Sequence, residues 1–224
     1  MDGKNQLYDK MLELPLFQGM SRDDLTLVVG HTKIGFLKLP AGRLLLKDGD
    51  VCDQLYCLMD GTLTAESVAD DHSYTFEEII SAPNLIQPER LFGLTQRFTR
   101  TYTAQTKCCL IALDKAETMK LIDRFMIFRL NLMNRIATNL QRTSHQPWRR
   151  QPADLRGKVI RFFESHCFKP AGEKHIKIKM TQLAHELNDS RLSISIVLNA
   201  LQAEGLLTLH RGRIDIPALE LLLM

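Results

Sequence analysis

Two arginines flank a single glycine near the end of the chain, Arg211 and Arg213 on either side of Gly212. The runs around them, residues 206–209 and 213–216, predict a β-hairpin whose tight turn needs the positive φ angle that glycine adopts without strain. Guanidinium groups bind phosphate oxygens through paired N–H donors. The hairpin tip is therefore a candidate contact with nucleic acid.

Two predicted helices precede this hairpin, and the second carries side chains that can hydrogen-bond to base edges or phosphates. The first spans residues 180–187, with apolar residues at the i, i+3, i+4, i+7 spacing of a half-buried helix. Asn188 tolerates the left-handed conformation of a tight helix exit, and the Ser190 hydroxyl can cap the helix that follows. The candidate DNA-contacting residues are Ser190, Arg191, Ser193, Asn199, Arg211 and Arg213.

This order of elements is typical of a winged helix-turn-helix that binds double-stranded DNA. The chain has 29 Lys and Arg residues and 26 Asp and Glu residues. From Gln146 onward there are twelve Lys and Arg against eight Asp and Glu, a net charge of +4, and the remaining residues have a net charge of −1. The basic excess thus accompanies the predicted DNA-binding element. The alternatives are a helical domain in which the same helix–Asn–Ser–helix pattern has no such role, and an ordinary solvated charge pattern.

The part of the chain before residue 114 consists mainly of short β-type runs separated by glycines, after a short lead-in helix capped by Ser21 and Asp24. Several short strands at turn-punctuated spacing predict an antiparallel sandwich or barrel. The predicted strands are residues 33–39, 43–47, 54–59, 62–68, 73–79, 102–106 and 109–113.

A long helical stretch follows, from the capping pattern at Asp114 through Gln141. It has more apolar surface than a single packing stripe requires, so we expect a partner helix across a dimer axis. The alternative is that the helix packs only on its own domains. The expected dimer-interface residues are Phe125, Phe128, Leu132, Ile136 and Leu140. We predict three domains, at residues 1–113, 114–145 and 146–224.

Several classes of protein do not fit the composition. The five cysteines are odd in number and form no C-x-x-C pair, which argues against disulfides, zinc ribbons and iron–sulfur clusters. No apolar run suggests a signal segment or a membrane span, so we expect a cytoplasmic protein without a membrane partner. The seven histidines include no H-x-H pair, and we expect no metal, no cofactor and no catalytic residue.

Two segments resemble a known family. The segment PAGRLLLKDGDVCDQLYCLMDGTLT, with Pro40, Gly42, Gly49 and Gly61, is similar to the β-roll signature of the CRP/FNR family of bacterial transcription regulators, and LPLFQGMSRDDL is similar to its lead-in helix. The resemblance implies an α+β fold: an antiparallel β-roll (double-stranded β-helix), a long dimerisation helix and a C-terminal winged helix-turn-helix. It implies double-stranded DNA, a second copy, RNA polymerase and a small-molecule effector as partners.

The residues that bind the cyclic nucleotide in the family are replaced in this sequence. Aligned from Ala104, the phosphate-binding arginine falls on Phe98, and the ribose-binding Gly-Glu pair falls on Gln87 and Pro88. A buried phosphate would lack its compensating charge, so we do not expect cyclic AMP as the effector. Glu89, Arg97 and Arg100 lie nearby, and an insertion could bring one of them into the pocket. They are candidate effector-pocket residues together with Thr143 and Ser144, which resemble the family's purine-facing hydroxyls.

The recognition helix also departs from the family, whose S-R-E-x-x-x-R pattern here keeps only Arg191. Leu192 and Ile196 offer apolar contacts alone, such as with thymine methyl groups, which favours A/T-rich sites. The predicted function is a dimeric DNA-binding transcription regulator. The alternatives are a ligand-sensing β-roll protein with a weakened DNA-binding domain that acts through protein contacts, and a cupin-type barrel enzyme, which would contain tightly bound metal.

Overall fold

The chain folds into two units. The second unit includes a segment, residues 64–79, that lies in sequence between the two parts of the first unit. The structure, a computed structural model, describes residues 2–145 and 148–224. The first unit comprises Met1–Leu63 and Ile80–His145, and the second comprises Thr64–Ile79 and Gln146–Met224. This division differs from the predicted one in two places: the central helical stretch joins the strand-rich unit, and residues 64–79 join the C-terminal unit.

Antiparallel strands form most of the first unit, as the sequence predicts. The strands up to residue 114 are β1 Gly35–Leu39, β2 Leu44–Leu46, β3 Gln54–Asp60, β4 Thr62–Val68, β5 Tyr74–Ser81, β6 Asn84–Ile86, β7 Thr101–Ala104 and β8 Cys108–Asp114. Most of β4 and β5 belongs to the second unit. In the first unit, β1, β8, β3 and β6 pair in that order in one sheet, with Phe36 opposite Ile111 and Tyr56 opposite Ala112, while β2 pairs with β7.

One glycine of the β-roll signature has a clear steric reason. Gly61 has a φ of 89°, and a Cβ atom at this position would collide with the carbonyl oxygen of Lys107 and with Cys108. A larger residue would therefore push the turn between β3 and β4 away from its neighbour. The short strand β6 escapes the sequence pattern because its three residues are all buried and show no alternation.

The described residues of the first unit also form the α-helices α1 Asp2–Glu13, α2 Arg22–His31, α3 Lys115–Arg124 and α4 Met126–His145. The predicted capping box at the start of α2 is present, with the Ser21 hydroxyl accepting from the Asp24 amide at 3.0 Å. The predicted continuous stretch from Asp114 is instead two helices, because Phe125 between them is extended, with φ −117° and ψ 105°. The break lets Phe125 turn inward, where it retains 8% exposure.

The second unit is built on an antiparallel sheet with one apolar face. From residue 155 the elements are α5 Leu155–His166, β9 Lys174–Ile178, α6 Met180–Glu186, α7 Arg191–Ala203, β10 Thr208–His210, β11 Arg213–Ile216 and α8 Leu219–Leu222. The strands pair in the order β10, β11, β9, β5, with Ile214 opposite Ile176 and Ile176 opposite Phe76. The apolar side chains of the sheet pack on helices α5 and α7, whose Phe163, Leu198 and Leu201 are fully buried.

β5 reaches this sheet from the middle of the chain. Residues Tyr74–Glu78 pair with Ile178–Lys174, so the outer part of the β4–β5 hairpin contributes a strand to the C-terminal sheet. The sequence predicts the hairpin strand but not β9 or its pairing. Within the described ranges, no helix is both long and apolar enough to cross a lipid bilayer.

Candidate nucleic-acid interface

A tight turn separates α6 from α7 and sets the direction of the second helix. Asn188 has a φ of 50°, the left-handed conformation predicted from its residue type, and the Asp189 amide donates to the Ala184 carbonyl at 3.0 Å. The Ser190 hydroxyl accepts from the Ser193 amide at 3.0 Å and caps α7. The helix-turn-helix geometry thus follows from residues that are adjacent in sequence.

α7 has two distinct faces. Ile194, Leu198 and Leu201 are fully buried in the core of the second unit. The opposite face carries Leu192 and Ile196, which retain 71% and 63% exposure. They lie one helical turn apart, just after Arg191 at the start of the helix. An exposed face of this kind at the start of a second helix is the geometry that helix-turn-helix proteins present to the major groove.

Three of the predicted polar contacts on α7 are already hydrogen-bonded within the helix. The Ser190 and Ser193 hydroxyl oxygens lie 2.7 Å apart at the N-cap. The Asn199 amide nitrogen donates to the Ser195 carbonyl at 2.8 Å. A bidentate contact from Asn199 to adenine would require that bond to break. Arg191 is exposed at the first position of the helix.

The hairpin forms as predicted, with Gly212 at φ 74° and His210 opposite Arg213. Its two arginines differ in environment. Arg211 is exposed at the tip. The Arg213 Nε donates to Asp215 Oδ1 at 2.6 Å, and this hydrogen bond raises the pKa of the guanidinium above its usual value. Arg211 is therefore the freer of the two phosphate-binding candidates.

Asp215 is the centre of a charged group on the solvent face of the sheet. His175 Nδ1 lies 2.7 Å from Asp215 Oδ1, and His210 Nε2 lies 3.1 Å from Asp215 Oδ2. Burial opposes ionisation of Asp215, but hydrogen bonds from Arg213 and His175 outweigh it and hold the pKa of the carboxyl below its usual value. The ionised Asp215 carboxylate therefore holds the Arg213 guanidinium through a charge-assisted hydrogen bond.

The predicted effector-pocket residues all lie in the first unit, and their environments differ. Glu89, in the short 3-10 turn Pro88–Arg90, accepts from the Asn139 side chain of α4 at 3.0 Å. Arg97 is exposed and donates to the Gly49 carbonyl at 2.7 Å, and Arg100 is half-buried. Thr143 and Ser144 are exposed and donate to carbonyl oxygens of their own helix.

Other residues, missed from the sequence, occupy the interior around Glu89. Among the described residues, no hydrogen-bond partner is found for the buried atoms Asn139 Oδ1, Arg90 Nε and Arg135 Nε. Burial lowers the pKa of Arg135, Arg142 lowers it further, and Glu89 opposes both effects. Asparagine and arginine on a helix give no sequence signal of burial, because both are usually exposed.

Phe98 and Gln87, which the sequence predicts at the positions of the family's phosphate and ribose contacts, are both buried. Phe98 retains 1% exposure, with its ring centroid 6.2 Å from that of Tyr56. Gln87, with a φ of 34°, donates from its side chain to the Thr99 hydroxyl at 2.7 Å and accepts from the Thr99 amide at 3.1 Å. The residue predicted to replace the phosphate-binding arginine is thus a buried aromatic ring.

Three of the five residues predicted for the dimer interface are buried within the protomer. Phe125, Phe128 and Leu132 retain 8%, 0% and 3% exposure, because they turn inward within the first unit, where the Phe128 and Phe17 ring centroids are 5.4 Å apart. Ile136 is half-buried, and Leu140 is exposed. The outward face of α4 consists instead of Met126, Leu130, Met133, Ala137 and Leu140.

Burial keeps the thiols of Cys52 and Cys57 protonated at neutral pH. All five cysteines are free thiols, and burial raises the pKa of Cys52 to about 11 and that of Cys57 to about 12. Thiols with such pKa values are poor nucleophiles and poor metal ligands at neutral pH. Within the same residues, no group of three or more His, Cys, Asp or Glu side chains could hold a metal ion.

Comparison with solved structures identifies the class of fold as that of CRP/FNR-type transcription regulators. The chain is similar to the catabolite activator protein of Thermus thermophilus, with 21% identity, a TM-score of 0.51, and coverage of 93% of this chain and 96% of that chain. It is also similar to a CRP/FNR-family regulator of Eubacterium rectale, with 18% identity, a TM-score of 0.51, and coverage of 94% and 96%. At sequence identities this low, the similarity shows a shared fold and nothing further.

Two further similarities cover less of the chain. The sensor domain of the transcriptional regulator DNR from Pseudomonas aeruginosa matches 69% of this chain and all of that domain, with a TM-score of 0.53 and 16% identity. The potassium channel SKOR of Arabidopsis thaliana is 28% identical over 129 residues, which are 55% of this chain and 15% of the channel. The chain therefore spans a small part of the length of that relative. No protein-family model matches the chain.

Proposed function

We propose that this chain is a DNA-binding transcription regulator of the CRP/FNR type that acts as a homodimer and performs no enzymatic reaction. The proposal depends mainly on the outward face of α7, where Arg191, Leu192 and Ile196 are exposed to solvent. The helix follows a tight turn and is capped at its start by Ser190. The wing beside it presents Arg211 at its tip. Proteins that share this fold include transcription regulators.

Double-stranded DNA selected from a random library by the full-length protein tests this directly. We expect fluorescence anisotropy to give tight binding that weakens steeply as the salt concentration rises, because contacts between cations and phosphates release counterions. A matched duplex with the selected bases scrambled is the control. Equal affinity for both duplexes, or no binding to either, would contradict the proposal.

The homodimer is proposed to form through the outward face of α4. Met126, Leu130, Met133, Ala137 and Leu140 follow one another at alternating spacings of four and three residues, the a/d pattern of a two-helix seam. Met126, Leu130, Met133 and Leu140 retain 64%, 47%, 58% and 65% exposure. Two copies of this apolar seam can pack against each other around a two-fold axis, so a second copy of α4 is the proposed partner.

The effector is proposed not to be cyclic AMP. Phe98 fills the position of the phosphate-binding arginine, and the buried side chain of Gln87 bonds to Thr99 instead of facing a ribose. A cyclic phosphate here would be buried without a matching cation, which costs several kcal/mol. Isothermal titration of the full-length protein with cyclic AMP is expected to give no binding heat. Saturable binding at micromolar concentration would overturn this part of the proposal.

A second candidate function is supported by the same recognition helix. Leu192 and Ile196 are apolar and exposed, so a weakened DNA-binding domain that acts through protein contacts remains the rival hypothesis. Genome-wide footprinting separates the two, because only a DNA-binding regulator should show an enriched site. At such a site RNA polymerase is the expected further partner.

A further inference from the structure

We propose that Leu192 and Ile196 read the C5-methyl groups of two thymines in the major groove and thereby set the base preference of the protein. The inference rests on the proposed DNA-binding function and deepens it. Each side chain has no hydrogen-bonding group, so its only specific partner on a base edge is a methyl group. In the major groove, thymine is the one standard base that carries such a group.

The position of the pair on α7 suits this role. Leu192 and Ile196 are four residues apart on one face of the helix, with 71% and 63% exposure. Residues at this spacing have Cβ atoms about 6 Å apart, close to two base-pair steps of about 3.4 Å each. Both lie in the first half of α7, which spans Arg191–Ala203, and the N-terminal residues of a recognition helix are those that reach base edges.

The polar side chains on the same helix are less available for base reading. The Ser190 and Ser193 hydroxyls bond to each other, and Asn199 bonds to the Ser195 carbonyl and hydroxyl. A direct contact from any of them to a base would first cost an internal hydrogen bond. The apolar pair has no such competing interaction, so it is the more direct source of discrimination.

Charge around the pair favours DNA over a protein partner. Lys179, Arg191 and Arg211 are exposed at the start of α6, the start of α7 and the wing tip. The nearby acids are occupied by local hydrogen bonds, because Asp189 accepts from the Ser190 amide and Glu186 from the Gln182 side chain, both at 2.7 Å. The apolar pair is thus accompanied by cations and a helix N-terminus, both of which attract phosphates.

Deoxyuridine provides a direct test, since it pairs as thymine does and lacks only the methyl group. The duplex selected by the full-length protein is resynthesised with deoxyuridine at each thymine in turn, and the dissociation constant is measured by anisotropy at fixed salt. We expect two positions in each half-site to weaken binding roughly fourfold per methyl group removed, from the transfer free energy of one buried carbon. Other thymines should tolerate the change.

The double variant Leu192→Ala/Ile196→Ala lacks both apolar side chains. We therefore expect it to bind the thymine duplex and the deoxyuridine duplexes with equal affinity. Leu221→Ala, an exposed leucine of α8 with 49% exposure, is the matched control and should keep the wild-type ratio. Tight sequence-specific binding by wild-type protein with no deoxyuridine effect would overturn the inference and leave the proposed function intact. Absence of sequence-specific DNA binding would instead overturn the proposed function and this inference with it.

Discussion

Lys174 Nζ lies 3.1 Å from Glu78 Oε1, and each side chain retains only 1% exposure. Lys174 opens β9, and Glu78 faces it from β5, directly opposite in the strand register. The carboxylate also accepts from the amides of Phe168 and Lys169, at 2.8 Å and 3.0 Å, and the ammonium donates to the Ala171 carbonyl at 2.9 Å. The β4–β5 hairpin thus supplies the counterion of a lysine inside the C-terminal unit.

Removing one member of this pair should be costly. Glu78→Ala would leave a buried ammonium without its counterion and two amides without their acceptor, so we expect the free energy of unfolding to fall by about 3–5 kcal/mol. Chemical denaturation of the full-length protein, followed by far-UV circular dichroism, measures the decrease. The double variant Glu78→Leu/Lys174→Met should recover part of it, because it removes both charges together.

An exposed ion pair in the other unit provides the control. Lys10 Nζ lies 3.4 Å from Asp60 Oδ2, with side chains 40% and 62% exposed. Asp60→Ala should cost at most about 1 kcal/mol, because solvent screens the pair. If Glu78→Ala costs no more than Asp60→Ala, the buried pair does not stabilise the C-terminal unit.

The outward face of α4 should control oligomeric state. In Leu130→Asp/Met133→Asp, two carboxylates replace apolar side chains that are 47% and 58% exposed, so the protomer should fold normally. A dimer seam would then bury unpaired charges, and we expect sedimentation velocity to show a monomer where the wild type is a dimer. Leu94→Asp, a fully exposed leucine elsewhere in the same unit, should leave the dimer unchanged. A dimeric double variant would rule out this face as the interface.

The two wing arginines should contribute unequally to DNA binding. Arg211→Ala is expected to reduce the slope of log K against log salt by about one unit for each phosphate that the guanidinium neutralises in the wild type. Arg213→Ala should change the slope less, because the Arg213 side chain already bonds Asp215 at 2.6 Å. Anisotropy over a salt series measures both slopes. A larger change for Arg213→Ala than for Arg211→Ala would show that Asp215 releases Arg213 when DNA binds.

The ionised Asp215 carboxyl should stabilise the fold in a defined pH range. Its folded-state pKa is lowered from 3.8, despite burial, by its bonds to Arg213 and His175. A depressed pKa means that the stabilisation is present above the unfolded-state pKa and is lost as the pH falls through the folded-state value. The difference in unfolding free energy between wild type and Asp215→Asn should therefore be largest above about pH 5 and shrink toward about pH 3. A difference that grows on acidification would contradict this assignment.

Short-range patterns in the sequence were sufficient to predict helices α6 and α7, the turn between them and the hairpin that follows. The Ser190 cap, the left-handed Asn188 and the glycine turn of the wing each depend on residues a few positions apart, so their residue types determine the backbone. The same holds for the capping box of α2 and most of the strands before residue 114. Such features require no knowledge of the rest of the molecule.

The tertiary structure alone decided which faces these elements present. Apolar periodicity in α4 predicts burial on more than one side, but only packing on Phe17 and the Asn131 hydrogen bonds to the Leu16 and Gln18 carbonyls place Phe128 inside and Leu130 outside. Likewise, nothing near Lys174 in sequence predicts its burial, because the carboxylate that makes burial tolerable comes from Glu78 in the β4–β5 hairpin. Pairing between distant segments is set by the whole chain's packing, and local residue types do not encode it.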